Sequence, residues 1–204
     1  MNDLLDLTRY NNTPIMRGII PSLIMDEITE WVDESRRIKN SPLADLKAHE
    51  NIGYLANYRD YKWGSIGDGK KHNSYQTSIS PYLIEKSFWL AWVLRLVEKY
   101  SENKNHRAYK LRKWEGHFDG YDVWTNFSYK GDNFPSHNHE GAYISGVIYY
   151  KNHNHPTIFD DYDLSYPGTD GTMLLFPGDT FHHVQSQTED KERITLSFNI
   201  IQNE

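Results

Sequence analysis

The chain has 204 residues, enough for one substantial core, so residues 1–204 are predicted to form a single domain. It contains no cysteine, which excludes disulfides and thiolate metal sites and leaves His, Asp and Glu to bind any metal. The formal charge of -6, the scattered basic residues and the lack of a secretion signal or an 18-residue apolar segment predict a cytoplasmic protein with neither a nucleic-acid nor a membrane partner.

The first half of the chain predicts helices around an irregular segment. Apolar residues spaced by three and four predict an amphipathic helix over residues 22–37. Residues 39–80 are polar and glycine-spotted without a sustained period, which predicts loops with short irregular elements. The Tyr-rich stretch 53–63 within them is interpreted as a substrate lid. A second helix is predicted after Pro81, extending to about residue 100 and packing on a sheet.

The second half has the texture of a β-sandwich or barrel, because short β-branched or aromatic runs alternate with Gly, Asp, Asn and Pro. The predicted strands are residues 109–114, 122–129, 143–150, 157–159, 172–176, 182–185 and 193–200. Helices followed by many short strands predict an α+β fold, a double-stranded β-helix (jelly-roll or cupin-like) with supporting N-terminal helices. Residues 1–105 would supply the helical support and the lid, and residues 106–204 the β-helix core.

Three histidines are candidates for a metal site. His137 and His139 are two residues apart, so in an extended segment they project from the same face and can share one metal. His182 follows the run Met173-Leu174-Leu175-Phe176 and a turn, where a returning strand could place a third ligand. Loop histidines on the surface are the alternative, which we favour for His153 and His155.

Arg193 is the candidate anchor for an organic acid. The segment from Arg193 to Asn199 alternates, so that Arg193 and Thr195 share one face of a strand. An inward arginine requires an anion, and 2-oxoglutarate fits: one end would chelate Fe(II), and the other would bind Arg193 and the Thr195 hydroxyl. Three protein ligands leave room for this acid and O2. Alternatively, Arg193 points outward and pairs with Glu189 or Glu192.

The same residues resemble a family of bacterial and phage proteins described as 2-oxoglutarate- and Fe(II)-dependent oxygenases, which are more distantly similar to prolyl hydroxylases. The resemblance covers residues 121–201. Its motifs are Val123-Trp124-Thr125-Asn126, Lys130-Gly131-Asp132, His137-x-His139, Ser145-Gly146-Val147-Ile148-Tyr149-Tyr150, Leu174-Leu175-Phe176-Pro177, His182-x-Val184 and Arg193-Ile194-Thr195-Leu196-Ser197-Phe198-Asn199.

The resemblance implies that His137 and His182 are iron ligands and that Arg193 binds the far carboxylate of 2-oxoglutarate. It also implies that Tyr150 hydrogen-bonds that carboxylate and that Asn126 lines the cosubstrate pocket, while a core tyrosine without a ligand remains an alternative for Tyr150. It selects His182 over the adjacent His183, and implies a bacterial or phage-infected host cell.

The sequence departs from this family at His139, where a carboxylate is usual. Three explanations compete: His139 is itself the third ligand, which we favour; an acid such as Glu140, Asp160 or Asp161 takes its place; or water does. A bulky residue at this position argues against halogenating chemistry.

The predicted function is Fe(II)- and 2-oxoglutarate-dependent hydroxylation of a C–H bond, with ascorbate as a supporting reductant. The substrate is a peptide or protein side chain or a small molecule, and the oligomeric state is open, a dimer included. Two alternatives remain: a three-histidine iron dioxygenase that does not use 2-oxoglutarate, and a noncatalytic cupin-like module that binds a metal or a small acid.

Overall fold

The computed structural model describes residues 7–40, 75–78, 87–101, 109–112 and 122–202. Within these ranges the chain forms two helices, one single-turn 3-10 helix and twelve strands, all paired antiparallel. The predicted lid, residues 53–63, lies outside the described residues.

Two helices support one side of the molecule. Helix α1 is Ser22–Lys39 and helix α2 is Phe88–Tyr100. The Ser87 hydroxyl caps α2 by accepting a hydrogen bond from the Leu90 amide at 3.2 Å. Glu27 of α1 also accepts hydrogen bonds from the first amides of α2, so that one helix fixes the start of the other.

The larger sheet contains eight strands of the described chain. Its strands are β1 (Leu7–Arg9), β2 (Met16–Ile19), β3 (Tyr75–Ser78), β4 (Tyr109–Leu111), β5 (Val123–Ser128), β7 (Ile144–Lys151), β10 (Thr172–Pro177) and β12 (Arg193–Gln202). Their spatial order is β1, β2, β10, β7, β12, β5 and β3, and β4 also pairs with β12. Strand β3 lies within residues 39–80, which were predicted as loops with short irregular elements. Its position was not predicted, because pairing with β5 stabilises a short strand that has no pattern of its own.

The smaller sheet contains four strands of the described chain: β6 (Phe134–His137), β8 (Thr157–Phe159), β9 (Leu164–Tyr166) and β11 (His182–Val184). Their spatial order is β6, β11, β8 and β9. The 3-10 helix Asp160–Tyr162 connects β8 to β9.

Two hydrophobic clusters show which way each face of the larger sheet points. Ile194, Leu196 and Phe198 of β12 pack with the apolar faces of α1 and α2. A second cluster joins Tyr149 and Leu174 of the larger sheet to strands β8 and β9 of the smaller one. The alternate residues of β12 therefore face the space between the two sheets, and that space contains the candidate site.

Candidate metal and organic-acid site

Three histidines converge between the sheets. His137 ends β6, His182 begins β11, and the two are directly paired across these strands. His139 lies in the turn after β6. Each residue offers one ring nitrogen, and these three atoms lie within 4.8 Å of one another, a separation that fits ligands of a single metal ion. The structure thus brings together the three histidines predicted from the sequence, without an acidic residue in the group among the described residues.

Backbone carbonyls orient two of the imidazoles. His137 Nδ1 lies 2.8 Å from the Pro135 carbonyl oxygen, and His182 Nδ1 lies 3.0 Å from that of Thr180. A carbonyl only accepts, so both Nδ1 atoms carry the hydrogen and Nε2 carries the lone pair. Metal-binding histidines are held in this way in proteins generally.

Burial keeps the three imidazoles neutral. It lowers the pKa of His182 to about 3, with a further contribution from His137. Burial likewise lowers the pKa of His137, and it takes the pKa of His139 well below the usual value together with the nearby His182 and His137. Neutral imidazole is the form that binds metals. No proton therefore has to be removed from these three residues before a cation binds at neutral pH.

His139 has different surroundings from the other two. Its Nδ1 lies 3.3 Å from the side-chain nitrogen of Asn199, and its ring is 5.8 Å from the ring of Trp124. Asn199 in turn contacts the buried carboxylate of Asp122. Asp122 and Asn199 were not predicted from the sequence as site residues, although Asn199 continues the alternation of Arg193 and Thr195.

The neighbouring acids have other partners. Asp160 lies 2.8 Å from His183 Nδ1 and accepts a hydrogen bond from Ser136 at 2.6 Å. Asp161 accepts one from the Phe181 amide at 2.7 Å, and Glu140 is exposed. The contact with Asp160 also places His183 outside the three-histidine group, as expected for the residue next to His182 on a strand.

Arg193 lies on the same face of β12 as Asn199, at the opposite end of the strand. Its side chain is 3% exposed, and its Nε donates a hydrogen bond to Asn152 Oδ1. Among the described residues it forms no ion pair, whereas Glu189 pairs with Lys191 and Glu192 with Arg36 and Lys39. The outward alternative is therefore wrong, and burial lowers the pKa of Arg193 to about 10.

Small polar side chains line the sheet beside Arg193. Asn126 donates to Thr195 at 3.2 Å and to Ser197 at 3.0 Å. Ser128 is the direct strand partner of Arg193, and its buried hydroxyl has no hydrogen-bond partner in the described parts of the chain. The structure thus places Asn126 and Thr195 on the predicted face, next to a guanidinium and a hydroxyl that can accommodate a carboxylate.

Tyr150 lies on the wrong face for its predicted role. It packs against the cluster beneath the helices, with Ile148 and Phe198, whereas Tyr149 packs between the sheets and its hydroxyl bonds Thr157. The pairing of β7 with β12 also shifts by one residue at Tyr150, which forms a β-bulge there. The prediction that Tyr150 hydrogen-bonds the acid held by Arg193 is therefore wrong.

Asn152 is the residue at the arginine end that sequence reasoning missed. It is fully buried, and its side-chain nitrogen donates to the backbone carbonyls of His155, Pro167 and Gly168. Its side-chain oxygen accepts a hydrogen bond from Arg193. The only signal in the sequence is its position at the end of a strand before a polar turn.

His153 and His155 belong to the turn between β7 and β8. His153 has a positive φ of 54°, and its Nε2 lies 3.1 Å from the Glu192 carbonyl. His155 Nε2 lies 2.8 Å from the Gln185 carbonyl. Neither belongs to the metal group found in the described residues, which agrees with their interpretation as turn residues.

This architecture defines the class of fold: two facing antiparallel sheets with helices on one side form a double-stranded β-helix. No protein-family model and no curated protein match the sequence. In the described residues, no helix is long and apolar enough to cross a membrane.

Solved structures with this fold align over most of the chain at low identity. One is an oxidoreductase of the 2OG-Fe(II) oxygenase family from Burkholderia pseudomallei, with a TM-score of 0.59, 12% identity and coverage of 95% of this chain and 93% of that one. A Pseudomonas putida prolyl-4-hydroxylase aligns with a TM-score of 0.57 and 12% identity, covering 95% of this chain and 95% of that one. The viral collagen prolyl hydroxylase of Paramecium Bursaria Chlorella virus-1, in complex with 2OG, aligns with a TM-score of 0.56 and 13% identity. The alignment covers 93% of this chain and 97% of that one.

Proposed function

We propose that this protein is an Fe(II)- and 2-oxoglutarate-dependent oxygenase that hydroxylates a C–H bond. The observation that carries the proposal is the pairing, between the two sheets, of a neutral three-histidine group, in which His139 and His182 are buried, with a buried arginine that has no ion-pair partner in the described residues. A site for a metal alone has no need of the second feature.

The residues present fit both groups. His137 and His182 present Nε2 atoms with their Nδ1 hydrogens held by carbonyls, as iron requires of imidazole ligands. Arg193, Ser128 and Thr195 provide a guanidinium and two hydroxyls for the far carboxylate of 2-oxoglutarate. When bound, iron and this acid supply the oxidation by O2, with ascorbate as a supporting reductant.

The two ends of the proposed site lie along one strand. Asn199, which contacts His139, and Arg193 are six residues apart on β12, about 20 Å at 3.3–3.4 Å per residue. An elongated acid held at both ends would lie along this strand.

A peptide or protein side chain is the proposed substrate class, with a small molecule as the alternative. Two of the three solved structures described above are prolyl hydroxylases, which supports a peptide. The protein is proposed to act in the cytoplasm of a bacterium or of a phage-infected cell.

Anaerobic titration of the Fe(II)-loaded protein with 2-oxoglutarate tests the proposal. We expect the visible charge-transfer band of the chelate in the wild type, and its loss or weakening in His182→Ala and Arg193→Met. His183→Ala is the matched control, because His183 contacts Asp160 outside the metal group, and it should keep the band.

Two results would contradict the proposal. Bound iron without a band would favour the dioxygenase that does not use 2-oxoglutarate or the noncatalytic cupin-like module. A band that survives in Arg193→Met would remove Arg193 from the acid site. With O2, conversion of 2-oxoglutarate to succinate in the absence of substrate separates an enzyme from a binding module.

A further inference from the structure

A chain of four polar residues surrounds His139 and determines which hydrogen bond it can make. Arg112 donates to the Asp122 carboxylate from Nε at 2.7 Å and pairs with it through Nη2 at 2.5 Å. Asn199 donates from Nδ2 to the same carboxylate oxygen at 2.6 Å. The Ser145 hydroxyl donates to Asn199 Oδ1 at 2.6 Å.

These contacts fix the direction of the Asn199 amide. A carboxylate paired with a guanidinium only accepts hydrogen bonds, so the Asn199 atom facing Asp122 must be the NH2 group. The reversed amide would place two acceptor oxygens 2.6 Å apart in a buried site, which is strongly unfavourable. Backbone hydrogen bonds also hold the segment. The backbone N–H of Asn199 donates to the carbonyl of Asp122, and the backbone N–H of Arg112 donates to the carbonyl of Asn199, both at 2.9 Å.

The second hydrogen of this NH2 group faces His139 Nδ1 at 3.3 Å. An amide nitrogen has no lone pair to offer, so Nδ1 must be the acceptor. A neutral imidazole has one lone pair and one N–H, and the hydrogen must then lie on Nε2. His139 is thus held in the opposite tautomer to His137 and His182, whose Nδ1 atoms donate to carbonyls.

We infer that His139 donates an Nε2–H hydrogen bond within the site instead of serving as a third metal ligand, and that Asn199 and Asp122 are the positioning residues that impose this tautomer. The inference rests on the proposed function in taking His137 and His182 as the metal ligands. It reverses the preference drawn from the sequence, where His139 was favoured as a ligand. The N–H would be offered to an oxygen anion, such as a carboxylate, that binds beside His137 and His182.

The tautomers can be read in the metal-free protein by long-range ¹H–¹⁵N NMR of histidine-labelled samples. We expect a pyrrole-type Nε2 and a pyridine-type Nδ1 for His139, and the reverse for His137 and His182. Ser145→Ala is the matched control: it removes a contact of Asn199 without reversing the amide, so it should leave the His139 pattern unchanged. A pyrrole-type Nδ1 on His139 in the wild type would overturn the inference.

Titration with Zn(II) alone then tests ligation. The Nε2 resonances of His137 and His182 should move on metal binding, and that of His139 should stay pyrrole-type. Conversion of His139 to a metal-bound Nε2 would overturn the inference.

A variant at the same position gives an independent measurement. Replacing His139 by Asp should tighten Zn(II) binding by about tenfold, because the carboxylate can bind the metal and also accept the Asn199 hydrogen bond. Weaker binding by this variant than by the wild type would contradict the inference. These outcomes are independent of 2-oxoglutarate, so failure here is distinguishable from failure of the proposed function, which is judged by the chelate band.

Discussion

Replacing Arg193 by Met tests whether this residue serves to bind 2-oxoglutarate or to stabilise the fold. Burial lowers the pKa of Arg193 to about 10, and at about 1.4 kcal/mol per pKa unit the charged form is destabilised by about 3 kcal/mol. Its hydrogen bond to Asn152 offsets about 1.5–3 kcal/mol of this. The free energy of unfolding of Arg193→Met should therefore lie within about 2 kcal/mol of the wild-type value.

Urea unfolding with and without metal and 2-oxoglutarate measures both effects. At about 100 times its Kd, the acid should add about 2.7 kcal/mol to the wild type and nothing to Arg193→Met. Arg112→Met is the matched control, because it leaves the Asp122 carboxylate buried without its guanidinium, at a cost of about 3–5 kcal/mol.

The comparison of the two arginine variants can refute the reasoning. Suppose that Arg193→Met lowers the free energy of unfolding as much as Arg112→Met does, and that 2-oxoglutarate does not stabilise the wild type. Arg193 is then a structural residue, and the proposed acid site is refuted.

Two further predictions concern stability. In the metal-free protein the pKa of His182 is about 3, against 6.5 in the unfolded chain, so this residue contributes stability above pH 6.5 that is lost as the pH falls, by about 3 kcal/mol between pH 6.5 and 4. Urea unfolding across this range should show a smaller loss in His182→Gln than in the wild type, and equal slopes in the two proteins would contradict this. Gly146→Ala should destabilise by about 1–3 kcal/mol, because the new Cβ would overlap the Phe198 ring. Adding Phe198→Leu should recover part of that loss in thermal unfolding, and additive losses would argue against the overlap.

Most of the architecture could be predicted because each strand of the core has a pattern of its own. The alternation from Arg193 to Asn199 correctly predicted that Arg193 and Thr195 share a face, and the structure extends that strand to Gln202. The predicted helices also form, as Ser22–Lys39 and, for the described part of the second, Phe88–Tyr100. Short strands such as Leu7–Arg9 were missed, since pairing with neighbours distant in sequence stabilises them.

The site was predictable in its residues and less so in their orientation. The spacing of His137 and His139 indicated that they meet, but which nitrogen carries the hydrogen depends on Asn199, a residue distant in sequence. Alternation likewise separates Tyr149 from Tyr150 without saying which of the two faces the helices. That assignment requires knowing that Ile148 and Phe198 pack beneath the helices.

The charges around the site predict that metal and acid bind cooperatively. The three-histidine group contains no acid among the residues that the structure describes, so bound Fe(II) would keep its full charge of two. Arg193 adds a further positive charge at the other end, and a dianionic acid would offset two of these three charges by contacting both ends. We therefore expect 2-oxoglutarate to tighten metal binding, and by thermodynamic reciprocity the metal to tighten 2-oxoglutarate binding by the same factor. Calorimetric titrations of each in the presence and absence of the other would measure this factor, and His139→Asp, which places a negative charge beside the metal, should reduce it. A factor of one in the wild type would show that the two ends of the site act independently.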